Sequence, residues 1–211
     1  MQFDAYGASL PLEEAGAVAR TVEDLGFAGL WFTESKRVPY LACAVAATTT
    51  RSITLGTAIA VAFPRSPMVT AQTAWELGRA SRGRFSLGLG SQVKAHVERR
   101  FSMPFEHPGP KLREYVLALR AIWRAFQGEE RLDFKGEYYS FSLLTDFFSP
   151  GPSDFPSIPI SVAGVNTGMA RLAGEVCDGF HVHPLHSPRY VREVIRPALE
   201  VGAARAGRTV S

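Results

Sequence analysis

Basic blocks, paired cysteines and long apolar runs are all missing from this chain of 211 residues. Its two cysteines, Cys43 and Cys177, stand singly in apolar, helix-like patterns with no disulfide or metal spacing. That excludes a small disulfide-built scaffold and a zinc module, and it points to a reducing, cytoplasmic setting. No run approaches the roughly 20 apolar residues of a membrane-spanning helix. The opening "MQFDAYG" has neither the basic region nor the apolar stretch of a secretory leader. The formal charge is +3, and no basic cluster is interleaved with aromatics, which argues against nucleic acid as a partner. A Walker lysine loop, a CxxC pair and a Ser-His-Asp elbow are absent as well. What remains is 46% hydrophobic and 20% charged, the composition of a soluble chain with one sizeable core.

Short apolar runs alternate with amphipathic segments. The runs 2–7, 28–34, 52–62, "RFSLGLG" (84–90), 158–164 and 179–184 read as six strands, the third running long. Between them lie helical patterns. One places Ala15, Val18, Ala19, Val22 and Leu25 on a single face and stops at Gly26. Ser66-Pro67 and Ser187-Pro188 pair an N-cap with proline at the first helical position. The clearest stripe is Leu112, Tyr115, Val116, Leu119, Ile122, Trp123 and Phe126, ended by Gly128. Pro197 is placed to kink the last helix. Residues 128–157, rich in proline and aromatics, read as an insertion with an extended segment inside a single domain, 1–211.

Strand alternating with helix means a parallel sheet. An open doubly wound sheet and a (β/α)₈ barrel are the two candidates. A barrel usually needs about 250 residues, so the second would be incomplete, with about six of eight βα units. The strand faces favour it. Phe85, Leu87 and Leu89 point one way and Ser86, Gly88 and Gly90 the other, and Thr54, Gly56 and Ala58 form a similar small face. An open sheet covered by helices wants bulk on both faces.

Three stretches and a scatter of basic residues offer chemistry. Gly88-Leu89-Gly90 begins a G-x-G-x-x-G dinucleotide fingerprint, but Val93 replaces the last glycine and no acidic strand end follows. It reads instead as a ligand loop at the top of a barrel or as a plain strand end. "HVHPLH" puts His181 and His183 on one strand face, the arrangement of a metal-dependent hydrolase pair or of a histidine hydrogen-bonding a ligand. Glu34 ends the second strand; it is either site-forming or a loop charge paired with Lys36 or Arg37. Arg65, Lys94, Arg99 and Arg100 near strand tops would attract an anionic tail or simply face solvent.

"GFAGLWFTE" (26–34), "ITLGTAIAVAFPRSPMVTAQTAWELGRASRGRFSLGLGSQ" (53–92) and "ISVAGVNTGMARLAGEVCDGFHVHP" (160–184) together resemble the luciferase-like monooxygenase superfamily. More narrowly, they resemble its branch of oxidoreductases that use the deazaflavin coenzyme F420. The motifs L-G-T, S-P-x-x-x-A-Q, G-R-x-x-L-G-x-G and A-G-x-x-x-D-G carry the likeness, without separating F420 from FMN.

The resemblance implies a luciferase-like barrel and hydride transfer between F420 and an organic substrate. The alternatives are an FMN-dependent monooxygenase and a non-catalytic flavin- or deazaflavin-binding barrel fragment. It implies a homodimer acting on a small molecule. The cofactor ring would lie against a bulge at Ala58, Ile59 and Ala60, with a cis peptide at Ala58–Ile59, and beside Gly90, Ser91 and Gln92. Gly164, Val165 and Asn166 would offer backbone N–H groups to its phosphate, and His183 and Pro184 would close that side. Relatives often carry a histidine after the second strand, where this chain has Lys36, Arg37 and Val38. Glu34 and Arg37 are then the nearest groups able to act in catalysis, Arg37 by stabilising developing negative charge.

Overall fold

A computed structural model describes residues 2–210. Its strands are β1 (Asp4–Gly7), β2 (Gly29–Phe32), β3 (Thr54–Thr57), β4 (Ala60–Val61), β5 (Phe85–Gly90), β6 (Phe134–Lys135), β7 (Ser140–Phe141), β8 (Ile160–Gly164) and β9 (Gly179–Val182). The helices are α1 (Leu12–Asp24), α2 (Pro39–Thr49), α3 (Pro67–Ala80), α4 (Lys94–Arg99), α5 (Pro108–Gln127), α6 (Thr167–Val176), α7 (Pro188–Tyr190) and α8 (Arg196–Arg205). The main sheet is parallel throughout, in the order β1-β2-β3-β5-β8-β9, with β4 added alongside β5. This is a half-barrel of six successive strands. Among the described residues β1 and β9 each pair on one side only.

Register divides the sheet into two faces. Leu30, Phe32, Leu55, Leu87, Leu89, Ile160 and Val162 point outward into the helical layer, each at 1% exposure or less. Such burial is worth about 1.5–3 kcal/mol per side chain. The predicted α5 stripe packs into the same layer, with every one of its seven residues buried. The inner face carries Asp4, Tyr6, Trp31, Gly56, Ser86, Gly88, Ser161, Ala163 and His181. Curl brings Trp31 of β2 to His181 of β9, two strands that are not neighbours. Their rings meet edge to face with centroids 5.2 Å apart.

The helix signals work as read. Ser66 accepts the Met68 N–H at 3.3 Å and Ser187 accepts that of Tyr190 at 3.1 Å. Gly26 and Gly128 end α1 and α5 in the left-handed region, with φ 81° and 78°. Ahead of Pro197 the last helix adopts a π-helical turn over Val191–Ile195.

Three features differ from the sequence expectation. The third strand is not continuous over 52–62: it stops at Thr57, and the chain resumes pairing as β4 after Ala58 and Ile59. Val93 precedes the short helix α4 instead of an open loop. The insertion is not a simple extended segment. It forms an antiparallel hairpin, β6–β7, and a 3₁₀ turn at Asp146–Phe148. It then runs along the outer helices: Trp75 Nε1 donates to the Gly151 carbonyl at 3.1 Å, and Gln127 Oε1 accepts from Ser153 N–H at 3.0 Å.

Candidate functional site

The residues singled out from the sequence gather at the C-terminal ends of the parallel strands, in two neighbouring groups. The first is the bulge between β3 and β4, facing the end of β5. The Ala58–Ile59 peptide is cis. The segment is held from several directions. Ala58 N–H donates to the Phe32 carbonyl at 2.8 Å, and the Tyr6 hydroxyl reaches the Ala58 carbonyl at 3.2 Å. The Thr57 hydroxyl donates to the Gly88 carbonyl (2.7 Å) and accepts from the Gly88 N–H (2.9 Å), so one side chain replaces a rung of the ladder where the main chains part. Ala58 and Ile59 are half-buried, as are Ser91 and Gln92, whereas Ala60 and Gly90 are buried. The surface this group offers is therefore residues 58, 59, 91 and 92.

The inner-face glycines do not leave an empty strip for a ring. A Cβ on Gly88 would fall on the Thr57 carbonyl oxygen, one on Gly56 would fall on the Trp31 ring, and one on Gly90 would lie 2.7 Å from the Ile59 Cδ1 atom. They are small because the bulge and the neighbouring rings already occupy that space.

The second group is the turn between β8 and α6 with the turn after β9. Asn166 caps α6 by accepting the Met169 N–H at 3.1 Å, which leaves the Thr167 and Gly168 amides at the helix start directed outward. Val165 and Asn166 are exposed. His183 Nδ1 accepts the Leu185 N–H at 3.2 Å, so the neutral ring carries its proton on Nε2. The Tyr190 hydroxyl, at 3.4 Å from the Val165 carbonyl, joins this turn to the first. Pro184 is exposed beside it. A helix start and an imidazole N–H together form a donor set suited to a phosphate. The residues present thus fit the phosphate-bearing arm of a flavin or deazaflavin.

Arg37 lies apart from both groups, whereas Glu34 adjoins the first, its N–H donating to the Ile59 carbonyl at 3.0 Å. The Glu34 side chain is 3% exposed and pairs with neither Lys36 nor Arg37 but with Arg65. Arg65 Nη2 donates to Glu34 Oε1 at 2.6 Å and Nη1 to Oε2 at 2.8 Å. Arg37 is exposed and lines a cavity of about 250 Å³ with Ser9, Leu10, Val38 and Leu41, between the loops that follow β1 and β2. It has no carboxylate partner among the described residues.

His181 and His183 do not share a face. The strand ends at Val182, His183 turns to solvent, and His181 points into the barrel interior. The shared ligand face expected of a hydrolase pair is therefore not formed. His181 Nε2 is buried without a hydrogen-bond partner among the described residues. Burial pushes its pKa below the ordinary 6.5, while Asp4, which accepts from Trp31 Nε1 at 2.9 Å, acts in the opposite direction. The Trp31–His181 contact escaped sequence reading. The alternation that turns Trp31 inward, with Gly56 paired beside it, was the available signal.

Against known proteins, residues 2–211 match the family model described as luciferase-like monooxygenase. The chain belongs to that family. The luciferase-like relatives include an uncharacterized protein of Mycobacterium tuberculosis, 45% identical over 197 residues, covering 93% of this chain and 58% of the relative. An F420-dependent glucose-6-phosphate dehydrogenase of Beutenbergia cavernae is 32% identical, covering 82% of this chain and 50% of that protein. The chain spans about half the length of these relatives.

Solved luciferase-like structures share the fold. An F420-dependent secondary alcohol dehydrogenase in complex with an F420-acetone adduct has TM-score 0.85 at 20% identity, covering 98% of this chain and 65% of that one. The FMN-bound oxygenating constituent of 3,6-diketocamphane monooxygenase from Pseudomonas putida has TM-score 0.79 at 18% identity, covering 100% and 64%. No helix among the described residues is long and apolar enough to cross a membrane.

Proposed function

We infer that this chain is an oxidoreductase that moves a hydride between F420 and a small organic substrate. The observation that carries the reading is the pairing of two groups at one end of the sheet: the Ala58–Ile59 bulge beside Ser91 and Gln92, and the α6 start with His183. The relative named for F420-dependent oxidation of glucose 6-phosphate supports the choice of deazaflavin. When bound, the cofactor supplies the redox chemistry, and the protein supplies binding and orientation. The amides of Thr167 and Gly168 and the Nε2 proton of His183 would hold the phosphate. The bulge would fix the height of the ring. Arg37, permanently charged on the rim, would stabilise negative charge developing on a substrate between the first two loops.

Titrating the protein with F420 and separately with FMN, while following cofactor fluorescence, tests this. Saturable F420 binding at least tenfold tighter than FMN is the expected result. Tighter FMN binding favours the monooxygenase reading, which the shared fold with an FMN-bound protein keeps in view. Saturation by neither cofactor at high micromolar concentration overturns both.

A further inference from the structure

We propose that Glu34 and Arg65 are a positioning pair for the bound cofactor. They clamp the chain immediately after the bulge so that Ala58 and Ile59 are presented at one fixed height. The inference rests on the cofactor reading above and adds to it a role for two buried side chains that bond the chain beside the candidate binding surface.

The geometry is that of a fork closed around one peptide unit. Glu34 Oε2 accepts the Val61 N–H at 2.7 Å, and Arg65 Nη1 donates to the Val61 carbonyl at 3.0 Å. The two side chains are joined to each other by the bidentate pair at 2.6 and 2.8 Å. The Glu34 main chain adds a further tie, its N–H donating to the Ile59 carbonyl at 3.0 Å. Residues 59 and 61 are thus held by Glu34, and residue 61 by both partners. The pair is shielded: the side chains are 3% and 18% exposed, and the Arg65 guanidinium stands 5.3 Å from the centroid of the buried Tyr40 ring.

Three consequences of this arrangement exceed what a stability role requires. First, the bonds fall on Ile59 in the break between β3 and β4 and on Val61 just beyond it. Second, both ends of the Val61 unit are engaged by side chains, where a plain strand would use a neighbouring backbone. Third, the two parallel bonds between guanidinium and carboxylate constrain direction as well as distance, which restricts the position of Val61. A lysine at 65 would supply charge without the fork.

Buried ion pairs supply the discriminating test. Removing one partner strands a buried charge and destabilises, whereas replacing both by apolar groups of similar size restores much of the stability. Four proteins are compared: wild type, Glu34→Gln, Arg65→Lys and the double variant Glu34→Leu/Arg65→Met. Thermal midpoint, F420 dissociation constant and the induced visible circular dichroism of bound F420 are measured on each.

The expected result is a lower midpoint in both single variants and at least tenfold weaker F420 binding. The double variant recovers only part of the midpoint, since the Val61 N–H and carbonyl lose their side-chain partners, while binding stays at least tenfold weak and the induced dichroism stays altered. Recovery of binding together with midpoint in the double variant makes the pair merely structural and overturns the proposal. So does unchanged F420 binding in the single variants. If a single variant fails to fold, the double variant carries the comparison by itself. Absence of F420 binding in the wild type removes the cofactor reading itself, and this inference with it.

Discussion

Gly88 shows how tightly one residue is fixed here. Its N–H and carbonyl are both taken by the Thr57 hydroxyl, and the space a Cβ would need holds the Thr57 carbonyl oxygen, with His181 Nε2 at 2.6 Å. Gly88→Ala therefore has to push β3 from β5. A loss of about 3 kcal/mol is expected in urea denaturation, at the upper end of overpacking costs. Gly78 in α3 is the contrast, since a Cβ there meets Ile158 at 3.4 Å, an ordinary contact. Gly78→Ala gains about 0.5 kcal/mol from helix propensity, measured the same way. A third residue-scale prediction concerns His183. If its Nε2 proton serves the cofactor phosphate, His183→Gln weakens F420 binding about tenfold, the worth of one charge-assisted hydrogen bond. The thermal midpoint stays unchanged, because the ring is exposed. Equal dissociation constants for variant and wild type would remove His183 from the site.

At the scale of elements, the loop from α2 to β3 is fastened by a carboxylate on α1. Glu23 accepts the N–H groups of Arg51, Ser52 and Ile53 and the Ser52 hydroxyl, at 2.6 to 3.2 Å. Desolvation raises its pKa, but these donors outweigh it and hold the group down to about 2, from 4.5. A depressed carboxylate contributes stability that is complete above its unfolded pKa, about 4.5, and that is lost as pH falls toward 2. Wild type and Glu23→Gln should therefore differ most near neutral pH. The gap between their urea midpoints should close on acidification from pH 5 to 2.5. A gap that stays constant would show that the carboxylate charge is not what fastens the loop.

Element starts and stops were legible because their causes are local. Ser66-Pro67 caps itself, Gly128 supplies its own φ, and the α5 stripe needs only its own spacing. The break in the third strand was legible only through the family resemblance, which placed a bulge and a cis peptide at Ala58–Ile59; the residue pattern alone did not show it. Residues 52–62 stay apolar and β-branched through Ala58 and Ile59, and the forces that open the bulge come from Glu34, Tyr6 and Gly88, far along the chain. The partner of Glu34 was misread for the same reason. Lys36 and Arg37 are near in sequence, but Arg65 is near in space. Of the candidate site, the strand-end positions were readable from the parallel-sheet pattern, whereas which of them face outward was set by packing that no single segment contains.

The whole molecule carries a built-in report of its curl. Trp31 and His181 belong to β2 and β9, separated in the sheet by β3, β5 and β8, so their contact exists only if the half-barrel closes to the described curvature. Trp75 and Trp123 lie in outer helices, with their indoles bonded to the carbonyls of Gly151 and Ala71. A protonated imidazole quenches a touching indole more than a neutral one does. Trp31 emission should therefore rise with pH through a midpoint below 6.5, since burial lowers the His181 pKa against the opposing pull of Asp4. The pH-dependent part should vanish in both Trp31→Phe and His181→Gln. Stability follows the same group. The unfolded chain takes up a proton near pH 6.5 while the folded chain resists it, so stability falls as pH drops through the interval between 6.5 and the lower folded value. His181→Gln should flatten that fall. A pH-independent Trp31 signal in the wild type would mean that β2 and β9 do not approach. The sheet would then lie flatter in solution, and the two groups of candidate site residues would no longer face a common mouth.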